Sequence, residues 1–458
     1  MTKSQLNCNW IKEIYQDKTY QTEFFLGFEF DKLSEMTIII NTFVEKINLC
    51  FFKQYYKSNN NIGGRPNLDY TVMLKIYLYS LYKGFSIRTL HEHYALGSNL
   101  HYLSLGLAYF PQKSAFTSFL KVLDNHIDDI FDLSIEYLKK HLELNTTDVY
   151  CDGTIFEAHN SRYKIITDIN IKRSNEKWQN VLIDQTSSKE EKATARIKLK
   201  LNQRRSLKLT ELNRQSYGRT DLDSVLLMDK NGRFIAGFNV QFVEESKYGL
   251  IIFTHISNKN PDSEVFKEMA PSLFSKYDIK NITLDTGYGT TEILEMLEGN
   301  EIIPTVTPRT GKNSSKKISD YDFELTANSK SLICPNKRVL KAIRTNDKDL
   351  TTFKSSDCSN CELIGDCKPR SKLKSVVINI KEFRLIKKAE QIFNSEDGKE
   401  RYSHRANLCE SPHGFIIHNL KGKKFKMKGL VRNNTNTKLY AILFNLRRLI
   451  SIKSSKST

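Results

Sequence analysis

The hydrophobic pattern of this chain changes its period near Asp148, and this change constrains the fold more than any other sequence feature. Before it, apolar residues recur at the three- and four-residue spacing of helices, as at Val72, Met73, Ile76 and Tyr79. After it, short apolar runs of strand length alternate with helical stretches. The pattern therefore predicts a helical N-terminal region followed by a core of α/β or α+β class.

The N-terminal region, residues 1–145, is predicted to form several short helices. The run Gly63-Gly64-Arg65-Pro66 is a turn and helix-start signal before a helix at Asp69–Tyr82. Further helices are predicted at Ser86–Tyr94, Ser114–Asn125 and Asp128–Leu142. Short helices joined by tight turns are typical of a helix-turn-helix-like DNA-binding module, and equally of a plain helical bundle.

The core beyond Asp148 places acidic residues at the ends of predicted strands. Strands are predicted at Asp148–Thr154, Ser224–Met228, Ile235–Val243, Gly249–His255, Asn281–Asp285 and Glu301–Val306. Helices are predicted at Ser263–Phe274 and Thr290–Leu297, with a charged, exposed helical insertion at Lys189–Arg214. Asp152 and Asp285 each end a strand, so both side chains are expected at one edge of a sheet.

Convergent carboxylates are what two-metal phosphoryl transfer requires, and oxygen ligands of this kind suit Mg²⁺ or Mn²⁺. Taken alone, an aspartate at a strand end is more often a turn residue or a helix cap than a ligand. Asp221 and Asp262 are further acids near strand ends, and their pattern favours structural roles.

Four cysteines lie close together between the predicted core segments: Cys334, Cys358, Cys361 and Cys367. Four thiolates in a reducing compartment fit a structural Zn²⁺ site, with free thiols and an iron–sulfur cluster as the alternatives. The remaining cysteines are scattered and are predicted to be small buried apolar residues.

The formal charge of +18 at pH 7 indicates a polyanionic partner, with nucleic acid first. An ordinary lysine-rich surface would give the same composition. Apolar runs such as Leu250–Phe253 are far shorter than the ~20 residues of a membrane-spanning helix. The first residues lack the apolar core of a signal peptide, so a cytoplasmic protein with no membrane partner is expected.

Ordered motifs along the chain resemble one family. They are Gly64-Arg65-Pro66, Asp152-Gly153-Thr154, Thr220-Asp221-Leu222-Asp223 with Gly237-Phe238-Asn239-Val240-Gln241, Asp285-Thr286-Gly287-Tyr288, Tyr402-Ser403-His404-Arg405 with Glu410 and Gly414, Lys428-Gly429-Leu430 and Tyr440–Leu449. Together they resemble a bacterial insertion-sequence transposase of the DDE type. That family combines an N-terminal helical transposase domain with an RNase H-like catalytic core.

The resemblance implies that Asp152, Asp285 and Glu410 are the catalytic acids and Mg²⁺ ligands. Tyr402 and Arg405 would then support the third acid and contact DNA phosphate. The implied partners are double-stranded DNA, namely the terminal inverted repeats of the transposon and the target, and a second copy in a homodimer on DNA. In a bacterium the protein would associate with the nucleoid.

The resemblance also implies a domain plan. Residues 1–145 would form the helical DNA-binding domain, and 146–306 the first part of the RNase H-like core, with a helical insertion at about 160–216. Residues 307–396 would form a second, cysteine-containing insertion. Residues 397–458 would complete the core with C-terminal helices that carry the third acid.

The sequence departs from the family pattern at two positions. Ile417 stands where members usually have a lysine, and His413 where a phenylalanine commonly precedes Gly414. His418 or Lys421 would have to supply the missing DNA contact. The alternatives are a catalytically inactive, transposase-derived DNA-binding protein and an RNase H-like nuclease without strand transfer.

Basic side chains that would hold DNA occur in three places. The C-terminal candidates are Lys421, Lys423, Lys424, Lys426 and Lys428. Arg204 and Arg205 lie in the helical insertion, and Arg65, Arg88 and Lys113 lie in the N-terminal region. Contacts of this kind supply affinity that weakens with salt and carry little sequence information. For each of these cations, a solvated surface position is the alternative.

Overall fold

A computed structural model of the chain describes residues 34–55, 69–95, 105–106, 110–229, 231–307, 318–358, 360–367 and 373–456. It contains both helices and strands, which confirms the predicted mixed α and β class. Two compact units are present: the first draws on Met1–Asn145, Gly153–Asn260 and Cys409–Thr458, the second on Thr146–Asp152 and Pro261–Leu408. Among the described residues, no helix is both long and apolar enough to span a bilayer.

The N-terminal part of the first unit is helical, with α1 at Glu35–Lys46, α2 at Tyr70–Tyr82, α3 at Ile87–Ala95 and α4 at Lys113–Lys139. The start of α2 is fixed by Asp69, whose carboxylate accepts a hydrogen bond from the Thr71 amide at 2.8 Å. The prediction of two helices across 114–142 was wrong, because α4 runs unbroken for 27 residues. No glycine or proline interrupts it, and its buried stripe continues through Leu123, Ile127 and Ile130.

The strands of the first unit are arranged around its longest strand, which pairs with several of the others. The sequential strands are β1 at Asp148–Glu157, whose second half belongs here, β4 at Val225–Met228, β5 at Phe234–Glu245 and β6 at Ile251–Ser257. β5 pairs with both β4 and β6 in antiparallel register. Gly237 on β5 has no room for a side chain, because an added Cβ would lie 2.4 Å from the Phe156 carbonyl oxygen.

A helical hairpin interrupts these strands. The short antiparallel strands β2 at Ile165–Thr167 and β3 at Ser216–Gly218 form its base, and α5 at Asp168–Ile183 and α6 at Lys189–Leu212 form its two arms. The predicted helix at Lys189–Arg214 corresponds to α6. Its start is a capping box: the Ser188 hydroxyl accepts from the Glu191 amide and the Glu191 carboxylate accepts from the Ser188 amide.

The second unit contains a parallel three-stranded arrangement. The first half of β1 pairs with β7 at Asn281–Thr283, and β7 pairs with β8 at Ile303–Thr305. The helix α7 at Asp262–Lys276 precedes β7, and the helix α8 at Thr291–Gly299 joins β7 to β8. Parallel neighbours joined through helices are the arrangement in which strand ends gather side chains at one edge.

A five-stranded antiparallel sheet follows, in the order β13-β12-β11-β10-β9. The strands are β9 at Glu324–Leu325, β10 at Ser331–Ile333, β11 at Val339–Thr345, β12 at Leu350–Ser355 and β13 at Ser375–Asn379, with the short helix α9 at Ile364–Cys367 between the last two. Its core is a buried cluster of Phe323, Leu332, Leu340, Phe353, Val376, Ile378 and Phe383. The resemblance implied a cysteine-containing insertion here, and no sheet was predicted.

Three helices complete the chain: α10 at Ile380–Asn394, α11 at Glu396–Gly414 and α12 at Leu430–Lys456. α11 starts in the second unit, and its last residues belong to the first. The motif Tyr440–Leu449 lies in α12, and much of it is buried, including Leu443 and Leu446. Arg432 near the start of α12 forms an ion pair with Asp124 of α4, 2.6 Å between Nη2 and Oδ2.

Candidate active site

Asp152 and Asp285 lie at adjacent strand ends of the second unit. The parallel register of β1 and β7 pairs Tyr150 with Thr283. If the same register is continued for two residues beyond this pair, Asp152 lies beside Asp285. Asp152 is buried, and Asp285 is half-buried at the start of a single 3-10 turn. The Gly287 amide donates to Asp285 Oδ1 at 2.6 Å, which fixes that carboxylate in orientation.

Arg405 on α11 binds both aspartates. Its Nη2 donates to Asp152 Oδ1 at 2.8 Å and lies 3.9 Å from Asp285 Oδ2. The Arg405 side chain is only 18% exposed, and that of Asp152 only 9%. Two like charges this close repel each other, so the guanidinium offsets a repulsion that the strand ends impose. The geometry therefore places a cation between the two predicted acids.

Tyr288 is buried close to the two aspartates, and their charges affect its hydroxyl. Burial raises the pKa of its hydroxyl well above the ordinary value, and the nearby Cys151, Asp262, Asp152 and Asp285 raise that pKa further. Tyr288 is consequently neutral at physiological pH. Asp262, in the first turn of the helix that follows β6, is the third aspartate whose charge acts on Tyr288. The structural role that the sequence pattern favours for it stays a prediction.

Glu410 lies on α11 five residues after Arg405, is exposed, and belongs to the first unit. Its neighbour Cys409 is buried, with Sγ 3.8 Å from Glu244 Oε2. The His413 ring lies 5.5 Å from that of Phe242, centroid to centroid. Within the part of the chain that the structure describes, no group of three or more His, Cys, Asp and Glu side chains is arranged to hold a metal ion. The three predicted acids are thus not found as one ligand group.

Tyr402, predicted to support the third acid, precedes Arg405 by one turn of α11. Its ring packs edge-on against Phe393 of α10, with centroids 4.9 Å apart. Both residues belong to the second unit, so the contact ties the start of α11 to α10. Tyr402 therefore fixes the stretch of helix that presents Arg405.

The predicted DNA-contacting residues lie in several places. His418 and Ile417 lie in a π-helical turn, Phe415–Asn419, a type of irregularity that is frequent at functional sites. Lys421 adopts a left-handed backbone with φ 53°, and Lys428 is exposed. Arg88 is 90% exposed and pairs with Glu92, Lys113 begins α4, and Arg65 lies outside the described residues.

Asp221 and Asp223 have a structural role at the start of α12. Asp221 Oδ1 accepts the Gly429 amide at 3.1 Å, and Asp223 Oδ2 accepts the Leu430 amide at 2.8 Å. These bonds satisfy amides at a helix start that would otherwise lack partners. Burial raises the pKa of Asp221, while the charge of Lys428 is among the influences that lower it.

The four cysteines line one small cavity of about 30 Å³ in the second unit. Three of the sulfurs accept N–H bonds: Cys334 from the Arg338 amide at 3.2 Å, Cys358 from the Lys374 amide at 3.3 Å, and Cys361 from the Asn336 side chain at 3.4 Å. Burial raises the pKa of the Cys367 thiol, and the other three cysteines raise it further, although Lys374 opposes them. The donors are close together, yet their side chains do not stand in a finished coordination geometry.

Residues 333–450 match a family model described as "Transposase DDE domain". The match supports a DDE-type transposase. It spans about a quarter of the chain and contains Arg405, Glu410 and all four clustered cysteines, whereas Asp152 and Asp285 precede it.

Among curated proteins, none matches this chain. One solved structure with a detectable likeness is the cryo-EM structure of a piggyBac transposase synaptic complex with hairpin DNA. It is 11% identical, with a TM-score of 0.25 over 92% of this chain and 84% of that one. A likeness at that score carries no argument about this fold.

Proposed function

We propose that this protein is a transposase of the DDE type, which cleaves DNA at the ends of a mobile element and joins those ends to target DNA. The observation that carries the proposal is the pair of aspartates at the ends of β1 and β7, held by the Arg405 guanidinium. The family match over residues 333–450 supports it from a part of the chain that contains Arg405 but neither aspartate.

The proposed metal ligands are Asp152, Asp285 and Glu410. Asp152 and Asp285 fit Mg²⁺ or Mn²⁺, since the two carboxylates lie side by side and already attract a cation, the Arg405 guanidinium. When bound, the ions would lower the pKa of the attacking water or hydroxyl and neutralise charge on the reacting phosphate. Asp262 would add negative charge to the same neighbourhood.

Side chains of the protein would position the carboxylates and bind the DNA phosphate. Asp152 and Asp285 hold their carboxylates at a fixed spacing, because strand pairing and the Gly287 amide orient them. Arg405, when released from the aspartates, would contact a DNA phosphate through the same guanidinium. In each chemical step an oxygen of water or of a 3′-hydroxyl forms a bond to phosphorus while the bond to the leaving 3′-oxygen breaks. No covalent protein intermediate is required.

DNA is the proposed partner, as terminal inverted repeats and as target, and a homodimer is proposed because two ends must be joined together. Arg88 and Lys113 in the N-terminal helices are proposed contacts to the ends. His418, Lys421 and Lys428 are proposed contacts to the phosphate backbone. These assignments rest on the resemblance and on the exposure of the side chains.

The decisive experiment is a cleavage and joining assay on labelled DNA that carries the sequences flanking the gene, with Mg²⁺ or Mn²⁺. The wild type is compared with Asp152→Asn and Glu410→Gln, and with Glu400→Gln as a matched control, because Glu400 is an exposed glutamate on the same helix. We expect metal-dependent cutting and joining in the wild type and the control, and at least a hundredfold loss in both test variants.

Other outcomes would identify the alternatives. Binding of the ends without cutting by the wild type would indicate a catalytically inactive relative, with Ile417 and His413 as the first residues to revert. Cutting without any joined product would indicate a nuclease. Full activity in Asp152→Asn would contradict the assignment of the first acid.

We also propose a structural Zn²⁺ held by Cys334, Cys358, Cys361 and Cys367. Support comes from the shared cavity and from the N–H bonds to the sulfurs, which are the outer-shell bonds that orient thiolate ligands. Metal analysis of the purified full chain should find one zinc per chain, and zinc should be lost in Cys358→Ser. Cys50→Ser is the control, because Cys50 is exposed and outside the cluster. A metal-free wild type purified without chelator would overturn this assignment.

A further inference from the structure

The helical hairpin of α5 and α6 is held together by contacts between its own arms. Asn202 of α6 is buried and donates to Ser174 Oγ at 2.8 Å and to Asn175 Oδ1 at 2.9 Å on α5. At the base, Ile171 and Leu209 form a small core with Tyr217 of β3. The side of α6 that faces α5 is therefore settled by these contacts.

The opposite side of α6 carries a regular row of basic residues, which we call the basic stripe. It consists of Lys192, Arg196, Lys200, Arg204 and Lys208, spaced at intervals of four residues. Such a row drifts by about 40° per step, or about 160° from its first to its last member, so it winds around the side of α6 away from α5 over about 24 Å. Its centre lies roughly half a turn from the buried line of Ala195, Asn202 and Leu209.

The charge of the basic stripe is largely uncompensated. No acidic residue occurs between Lys192 and Lys208. Within the described residues, Arg196, Lys200 and Arg204 form no ion pair, and all three are exposed. At the two ends, Lys208 pairs with Glu211 at 2.8 Å. Hydrogen bonds from Thr186 lower the pKa of Asp184, and the charge of Lys192 adds a smaller contribution in the same direction.

A lysine-rich composition does not explain this row. The long helix α4 of the same unit contains three Lys and Arg but five Asp and Glu, whereas α6 contains eight Lys and Arg and three Asp and Glu. The acids of α6 are confined to its first and last turns, where Glu190 and Glu191 favour the helix start. The excess of positive charge is thus a property of α6 and is not shared by α4.

We infer that the basic stripe is a binding surface for the phosphate backbone of double-stranded DNA, outside the acidic site. Successive members are about 6 Å apart along the helix axis, and the whole stripe is long enough to follow about seven base pairs of one strand. Because it offers charges and few hydrogen-bond acceptors, it would bind phosphates without reading bases. The inference rests on the proposed function, since it takes DNA as the partner.

The test measures the affinity of the full chain for a short fluorescent duplex of arbitrary sequence over a series of salt concentrations. The test variant is Arg196→Gln/Lys200→Gln/Arg204→Gln. The control variant is Lys121→Gln/Lys140→Gln/Lys276→Gln, which removes the same total charge from exposed positions on other helices. We expect the slope of log affinity against log salt to fall by about 2.7 in the test variant, from 0.9 per phosphate contact, and the affinity at moderate salt to fall at least tenfold.

The outcomes separate this inference from the function on which it rests. Absence of DNA binding by the wild type would contradict the proposed function. DNA binding by the wild type with equal slopes in both triple variants would overturn the assignment of the stripe. If the test variant instead changed from dimer to monomer by sedimentation with unchanged DNA affinity, the occupant would be a second copy. A loss of affinity that depended on the DNA sequence would also contradict the assignment of the stripe. Circular dichroism checks that both triple variants fold.

Discussion

Replacement of Arg405 by glutamine should destabilise the second unit by about 3 kcal/mol in the absence of divalent metal. The gross attraction of charges 2.8 Å apart is about 6 kcal/mol at an effective dielectric constant of 20, and desolvation offsets much of it. Removing one partner of a buried pair typically costs about 3 to 5 kcal/mol, because the other charge stays buried alone. The lower end is appropriate here, since Asp285 is 27% exposed.

The measurement is urea unfolding followed by far-UV circular dichroism, with hydrogen exchange of the β1 and β7 amides to localise the effect. Arg401→Gln is the matched control, because Arg401 lies one turn earlier on α11 and forms no ion pair within the described residues. The double variant Asp152→Asn/Arg405→Gln should recover part of the loss, since it leaves only one carboxylate in place of two.

Adding divalent metal to the same unfolding measurement tests the reasoning further. If Mg²⁺ takes over the role of the guanidinium, Mg²⁺ at about a hundred times its Kd should restore about 2.7 kcal/mol to Arg405→Gln. It should restore much less to the double variant, which lacks the Asp152 carboxylate. Equal stability of Arg405→Gln and Arg401→Gln, or equal responses of the single and double variants to Mg²⁺, would refute the reasoning.

Three further predictions concern stability. Burial lowers the pKa of Lys438 to about 8 despite its ion pair with Asp128, so the folded state binds the proton less well than the unfolded state, and stability should rise with pH between about 8 and 10.5. In Lys438→Met this rise should disappear in urea titrations at pH 7 and pH 10, and an unchanged pH dependence would contradict the argument. Gly237→Ala should lose about 3 kcal/mol, because its Cβ would meet the Phe156 carbonyl oxygen at 2.4 Å, and a loss under about 0.5 kcal/mol in the same assay would exclude that clash. Chelation of metal should lower the urea midpoint of the second unit in the wild type but not in Cys358→Ser, and equal midpoints with and without chelator in the wild type would contradict a structural zinc.

Local signals predicted much of the fold. The helix predicted at Asp69–Tyr82 from its apolar period corresponds to α2, and the structure adds that Asp69 caps its start. The predicted break near residues 125–128 was wrong, because polar residues at Asn125 and Asp128 lie on the exposed side of one continuous helix. The sheet of β9–β13 was missed, since its strands are two to seven residues long and several alternate with exposed polar positions.

In the candidate site, the closeness of the two aspartates could be predicted from the sequence, whereas their contact with Arg405 could not. The closeness of Asp152 and Asp285 was predictable, because both end strands and parallel strands gather their ends at one edge. The position of Arg405 between them was not, since 253 residues separate Arg405 from Asp152 and only tertiary packing joins them. The resemblance had assigned Arg405 to DNA phosphate, and its bond to Asp152 adds a contact within the protein.

The geometry of α11 bears on how three acids would share metal ions. Arg405 and Glu410 are five residues apart, and on a regular helix five residues turn a side chain by about 140°. A helix that directs Arg405 to the aspartates therefore directs Glu410 to a different face. Pro412 within α11 and the π-helical turn at Phe415–Asn419 directly after it are irregularities at which a helix can change its winding.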